Sequence, residues 1–134
     1  MSVREYDLGS AELEVLKVLW EEGPSSVRTV MEHLARRSRQ VAYTTVQTML
    51  TRLEQKGFVR SNRSEAAYVY EATVSRDEIS QSRLRKLLDQ LYDGAAGQLV
   101  LHLLKTQRLR PREIEELQKL IERLDAKGRS SGGR

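Results

Sequence analysis

The chain has 134 residues, 39% of them hydrophobic and 31% charged, with a formal net charge of +4 and no cysteine. That length fits one domain or two very small ones, with a core modest enough to gain from a partner subunit. The missing cysteines exclude disulfides, zinc fingers, iron–sulfur clusters and thiol catalysis. No apolar run reaches the length of a membrane span, and the N-terminus lacks a signal-peptide core. A soluble, cytoplasmic protein without membrane insertion is therefore expected.

Gly9-Ser10 opens the first predicted helix, Ala11 to Trp20, with Ser10 as its N-cap. Glu12 and Glu14 suit its positive end. Leu13, Leu16, Leu19 and Trp20 mark the buried face, with Trp20 as a core anchor, and Gly23-Pro24 ends the helix. Ser25-Ser26 then caps a second helix from Val27 to about Arg37, striped by Val27, Val30, Met31 and Leu34. Arg36-Arg37-Ser38-Arg39 follows as a basic turn.

The third helix, Ala42 to Lys56 with a stop at Gly57, carries the unusual surface. Val46, Met49, Leu50 and Leu53 fall at i, i+3, i+4 and i+7, a single buried stripe. The opposite face holds Thr44, Thr48, Thr51 and Gln55, flanked by Thr45, Gln47 and Arg52. Thr loses side-chain freedom in a helix, so a surface chosen only for stability would not be rich in it. Short hydroxyls with methyl groups, plus Gln and Arg, are side chains that read base edges in a DNA major groove. Charge agrees. Residues 26–64 hold eight Lys/Arg (Arg28, Arg36, Arg37, Arg39, Arg52, Lys56, Arg60, Arg63) against Glu32 and Glu54, a balance of +6. Residues 1–25 hold two basic and six acidic residues, a balance of −4. A local positive patch is what a polyanion binder needs.

After Gly57 the hydrophobic period changes to two. Phe58 to Ser61 and Ala67 to Glu71 read as strands around a turn at Asn62 to Ala66. Three short helices followed by a hairpin are the pattern of a winged helix-turn-helix, with Arg60 and Arg63 on the wing for phosphate contact.

Ser75-Arg76-Asp77-Glu78 is a capping box that starts a helix running to Tyr92-Asp93, stopped by Gly94. Leu99 to Leu104 is apolar almost all round, and Arg110-Pro111 starts a last helix striped by Ile114, Leu117, Leu120, Ile121 and Leu124. Residues 127–134 read as a disordered tail. Three helices cannot bury so much leucine alone, so they are expected to pack on a second copy. The expected dimer contacts are Leu84, Leu87, Leu88, Leu91, Leu99, Leu103, Ile114, Leu117, Leu120, Ile121 and Leu124. The fold class expected is thus mainly α: an N-terminal winged helix-turn-helix with a small hairpin wing (1–74), a three-helix dimerisation region (75–126), and the tail.

These motifs resemble the penicillinase-repressor family, the BlaI/MecI type of bacterial winged-helix regulators. The matching residues are Ala11 to Trp20 with Gly23-Pro24, Tyr43 to Leu53 with Lys56-Gly57, Tyr68-Val69-Tyr70, and Glu113 to Leu117. The resemblance spans roughly residues 8–125. It implies a homodimeric repressor of an inverted-repeat DNA operator, with a sensor-protease pathway upstream that cleaves the dimerisation region. The family's scissile Asn-Phe pair corresponds to His102-Leu103 here, a departure that counts against cleavage. The Gly-Arg common at the family's wing tip is replaced by Glu65-Ala66, and the cysteine cluster of copper-responsive relatives is missing.

On this reading Thr44, Thr45, Gln47, Thr48 and Arg52 face the major groove, Tyr43 reaches the backbone, and Arg60 and Arg63 hold phosphates. Arg52 reads guanine or binds a phosphate; both roles fit its type. The alternative is a winged-helix adaptor that docks a protein partner, but such surfaces usually present aromatic anchors, and this face has only Tyr43. An enzyme is not expected. His33 and His102 lie on separate helices without carboxylates at ligand spacing, and there is no glycine-rich phosphate loop, so no metal or cofactor is expected either.

Overall fold

The computed structural model describes residues 7–64 and 67–131. In chain order the elements are α1 (Ser10–Glu22), α2 (Val27–Arg36), α3 (Tyr43–Gln55), β1 (Val59–Ser64), β2 (Ala67–Ala72), α4 (Arg76–Tyr92), α5 (Ala96–Thr106) and α6 (Pro111–Ser131). They form two compact units, residues 1–86 and 87–134.

The first unit is built around the apolar faces of its first three helices. Val15, Leu16, Val18 and Leu19 from α1 pack with Val27, Val30 and Leu34 from α2. Val46, Met49, Leu50 and Leu53 from α3 complete the layer, and Phe58, Val59, Tyr70, Val74 and Ile79 close it. Each fully buried Leu or Val contributes about 1.5–3 kcal/mol. These side chains fix α3 by one face and leave its other face outward.

Two turns of the same kind set the ends of α2 and α3. At α2, Ser38 takes a positive φ of 63°. Its N–H bonds to the carbonyl of Ala35 at 3.1 Å, and the Arg39 N–H to that of Leu34 at 2.9 Å. At α3, Gly57 has φ 84°, with Gly57 N–H to Glu54 and Phe58 N–H to Leu53 at 3.0 and 2.9 Å. Both are Schellman closures, which satisfy the last carbonyls and turn the chain sharply. Glycine suits the left-handed residue at α3; at α2 a serine occupies it.

β1 and β2 pair antiparallel from Val59↔Ala72 to Ser64↔Ala67. Ser25 adds a bridge to Tyr70, with backbone bonds of 2.9 and 2.8 Å in the two directions. The start of α2 is thereby attached to the wing. Ser25 is buried and its hydroxyl donates to the Gly23 carbonyl, so Ser26 alone caps α2, accepting from the Thr29 N–H at 3.2 Å. At α1 the cap is Gly9 rather than Ser10: the Gly9 N–H bonds to the Glu12 carboxylate at 3.0 Å.

The compact first unit includes the start of α4. Ile79 on α4 is buried in the winged-helix core, and Arg83 donates to the Leu8 carbonyl at 3.0 Å. Trp20 is half-buried, donates from Nε1 to the Val74 carbonyl at 2.8 Å, and lies under the Arg76 guanidinium. The expected capping box is present, with Ser75 and Glu78 bonded reciprocally at 3.1 and 3.0 Å.

In the second unit, no side chain between residues 87 and 128 is buried. Leu91 is 68% exposed and Ile121 53%, and Leu103, Ile114, Leu120 and Leu124 are exposed as well. Leu88, Leu99 and Leu117 are half-buried. α6 continues to Ser131, so residues 127–131, expected in a disordered tail, are helical; residues 132–134 lie outside the described residues. Lys127 and Arg129 are good helix formers, and one Gly at 128 costs only about 1 kcal/mol, too little to end a long helix. No helix among the described residues is long and apolar enough to cross a membrane.

Candidate nucleic-acid interface

The outward face of α3 is the candidate site. Thr44, Thr45, Gln47, Thr48 and Arg52 are all exposed there, and Tyr43, its first residue, is 43% exposed. The structure therefore brings six of the eight expected contact residues onto one helix. Gln47, Thr48, Thr51, Arg52 and Gln55 line a shallow open depression along it. Thr51 and Gln55 join the site although the sequence reading placed them only on the outer face. Their spacing from Gln47, Thr48 and Arg52, three or four residues, was the signal available.

Two of the threonines have engaged hydroxyls. Thr48 donates its hydroxyl proton to the Thr44 carbonyl and Thr51 to the Gln47 carbonyl, both at 2.9 Å. With that proton engaged, each offers its surroundings a methyl group and oxygen lone pairs. Such a surface complements thymine methyls and base amino groups.

Two ties hold α3 in place. Lys56 donates to both oxygens of Glu12 at 2.9 and 3.2 Å and to the Asp7 carbonyl at 2.8 Å. Burial pushes the Glu12 carboxyl up, but the Gly9 N–H, the hydrogen bond and charge of Lys56 and the charge of Arg52 outweigh it. Its pKa lies below the ordinary value. Glu54, near the end of α3, accepts from the Ser61 N–H at 3.0 Å and the Ser61 hydroxyl at 2.6 Å. The helix is thus anchored to α1 and to the first wing strand.

The two wing arginines differ. Arg60 stands opposite Glu71 across the hairpin and is ion-paired with it. Arg63 stands opposite Tyr68 with its guanidinium 5.6 Å from the ring centroid, and it has no ion pair among the described residues. Glu65 and Ala66, expected at the wing tip, lie outside the described residues. His33 is near Glu22, with Nδ1 3.5 Å from the carboxylate, and His102 is exposed on α5. Among the described residues no group of His, Asp or Glu could hold a metal ion.

A family model described as penicillinase repressor matches residues 8–123. A transcriptional regulator BlaI from Mycobacterium tuberculosis is 35% identical over 121 residues, covering 89% of this chain and 86% of the relative. A penicillinase repressor from Staphylococcus aureus is 27% identical over 127 residues, covering 95% of this chain and all of the relative. Among solved structures, monomeric BlaI of Bacillus licheniformis in complex with the blaP half-operator is 27% identical. Its TM-score is 0.47, with 57% of this chain and 90% of that one covered. The residues of the helix-turn-helix and the length of the match agree: this chain belongs to the penicillinase-repressor family, a family of transcriptional repressors and not of enzymes.

Proposed function

We propose that the chain is a cytoplasmic, homodimeric repressor that binds an inverted-repeat DNA operator. Residues 1–74 would form the DNA-binding domain and 75–126 the dimerisation region. The observation that carries the reading is the division of α3: its apolar stripe is buried, while its threonines, Gln47 and Arg52 stand outward. In this role Thr44, Thr45, Gln47, Thr48 and Arg52 approach base edges, and Tyr43 approaches the backbone. Arg63 supplies the phosphate contact of the wing; Arg60 would have to leave Glu71 to supply another.

Dimerisation is supported by the apolar surface of α4, α5 and α6, which a single chain leaves uncovered. Helix-turn-helix readers commonly bind two half-sites as two-fold dimers. An electrophoretic shift with DNA from the chain's own promoter region tests the reading. Retardation at low salt is expected, and no shift there would favour the adaptor alternative.

Upstream, a sensor-protease pathway is the partner suggested by the family. His102 and Leu103 are exposed on α5, but they replace the family's Asn-Phe pair. Release without cleavage at this bond is therefore expected. A fragment ending near residue 102 after β-lactam exposure would contradict that.

A further inference from the structure

Two acids interrupt the basic block at residues 26–64, Glu32 and Glu54. Glu54 is placed against two local rules. It lies in the last turn of α3, where the helix dipole disfavours a negative charge. It also comes two residues after Arg52, on the helix whose outward face carries the candidate site for a polyanion. A side chain that breaks local rules points to a role elsewhere in the fold. For Glu54 that role is at Ser61. One carboxylate oxygen accepts from the Ser61 N–H at 3.0 Å and from the Ser61 hydroxyl at 2.6 Å.

Ser61 marks the level at which the wing leaves the core. It stands opposite Tyr70. Both backbone groups of Tyr70 bond to Ser25, so they point away from β1, and the Ser61 N–H points away from β2 toward Glu54. The hairpin is thus gripped on both outer edges at one level, by the segment before α2 on one side and by α3 on the other. Burial pushes the Tyr70 hydroxyl above its ordinary pKa, and the Glu54 charge pushes the same way, so this carboxylate acts on both strands. Val59 and Tyr70 are buried, whereas Asn62, Arg63, Ala67 and Tyr68, farther out, are exposed. A two-stranded hairpin is marginally stable at best by itself. The placement of its outer part therefore depends on the grip at Ser61.

We propose that Glu54 is a positioning residue, which locks the root of the wing to the reading helix and so sets where Arg63 meets the DNA backbone relative to Arg52. This rests on the DNA-binding reading above. Arg63 lies two residues past Ser61, about 7 Å along an extended strand. Its guanidinium is steered further by the Tyr68 ring. A lever that short carries the angle fixed at its root directly to the phosphate contact. A slide of β1 along α3 would break both bonds to Glu54, because hydrogen bonds weaken steeply with distance and angle. Without this lock, an acid beside the reading face would only repel phosphate.

The sign of the effect on binding is the test. An acid acting only through its charge would weaken DNA binding, and Glu54→Ala would then tighten it. The positioning role predicts the opposite. Fluorescence anisotropy of the full chain, on a duplex from its own promoter and on an unrelated one, should show Glu54→Ala weakening both. The plot of log K against log salt should flatten by about 0.9, the loss of one phosphate contact. Arg63→Ala should do the same, and combining the two substitutions should add nothing, as for residues that act as a unit. Glu54→Gln keeps an acceptor oxygen at the same reach and should retain the slope. Nitrogen relaxation NMR without DNA gives a second readout: in Glu54→Ala the Arg63 and Tyr68 amides should become more mobile while those of α1 to α3 stay unchanged. Ser61→Ala removes one of the two bonds and should loosen the same amides, which keeps the test open if Glu54→Ala does not fold. The proposal is overturned if Glu54→Ala binds more tightly or keeps its slope, if the double variant is additive, or if the wing amides do not change. Failure of the unmodified chain to bind at low salt, with the wing amides still loosened by Glu54→Ala, would instead remove the DNA-binding reading itself.

Discussion

Lys56, in the turn that ends α3, donates from Nζ to both carboxylate oxygens of Glu12 on α1, 44 residues earlier in the chain. The Glu12 side chain is only 12% exposed, so the pair is a positioning element for the candidate reading helix. Its carboxyl has a pKa below the ordinary value of 4.5, so it favours the folded state when ionised. That contribution is complete above the unfolded pKa and is lost as pH falls through the folded one. Thermal melts of Glu12→Gln should therefore differ from the unmodified chain at neutral pH and converge with it in acid. Lys56→Ala should cost roughly 1–2 kcal/mol at neutral pH, because it leaves a half-enclosed carboxylate without its main cation.

Ser38 occupies a left-handed position at φ 63° that an L side chain adopts at a cost. Ser38→Gly should remove that strain and stabilise the fold by roughly 0.5–1 kcal/mol, after allowing for the greater freedom of glycine in the unfolded chain. Urea unfolding measures this. A loss of stability would mean that the serine side chain makes a contact outweighing its backbone strain.

The reading face and the wing should fail in different ways. Arg52→Ala and Thr48→Ala are expected to reduce the ratio of operator to unrelated DNA binding, since each discriminating base contact is worth about 1–3 kcal/mol. Arg63→Ala should lower both affinities evenly. Competition binding with two duplexes separates the outcomes. An even loss for Thr48→Ala together with changed preference for Arg63→Ala would reverse the assignments.

Much of this was legible in local sequence. The stripes of α1, α2 and α3 follow the helical period, and Leu16, Leu34, Leu50 and Leu53 are buried as that period requires. Gly57 and the Ser75–Glu78 box mark helix ends because their chemistry is local. What was not legible depends on partners distant in sequence. Eight cations between residues 26 and 64 look alike until the fold sets Arg37 beside Glu21, Lys56 beside Glu12 and Arg60 opposite Glu71. Ser25 reads as a cap, yet its backbone pairs with Tyr70 across 45 residues of chain. The Lys-Gly-Arg-Ser run from residue 127 has the composition of a tail, and only the continuing helix shows otherwise.

Leu91 and Leu124 are among the most exposed apolar side chains of the last three helices. Under the dimer reading, Leu91→Asp or Leu124→Asp would set a charge within the covered interface. Sedimentation velocity should show a shift from dimer to monomer, with operator affinity reduced in parallel. A chain that sediments as a monomer before substitution would contradict the dimer.

In the proposed function, α3 is one of two equivalent reading heads on DNA. Hydroxyl-radical footprinting of the full chain on its own promoter region tests it most directly. Two protected patches are expected over inverted half-sites, their centres separated by about one turn of duplex, roughly 10 base pairs, or a multiple of it. Protection should vanish when Gln47 and Thr48 are both changed to alanine. No protection at low salt, or a single patch without two-fold symmetry, would contradict it.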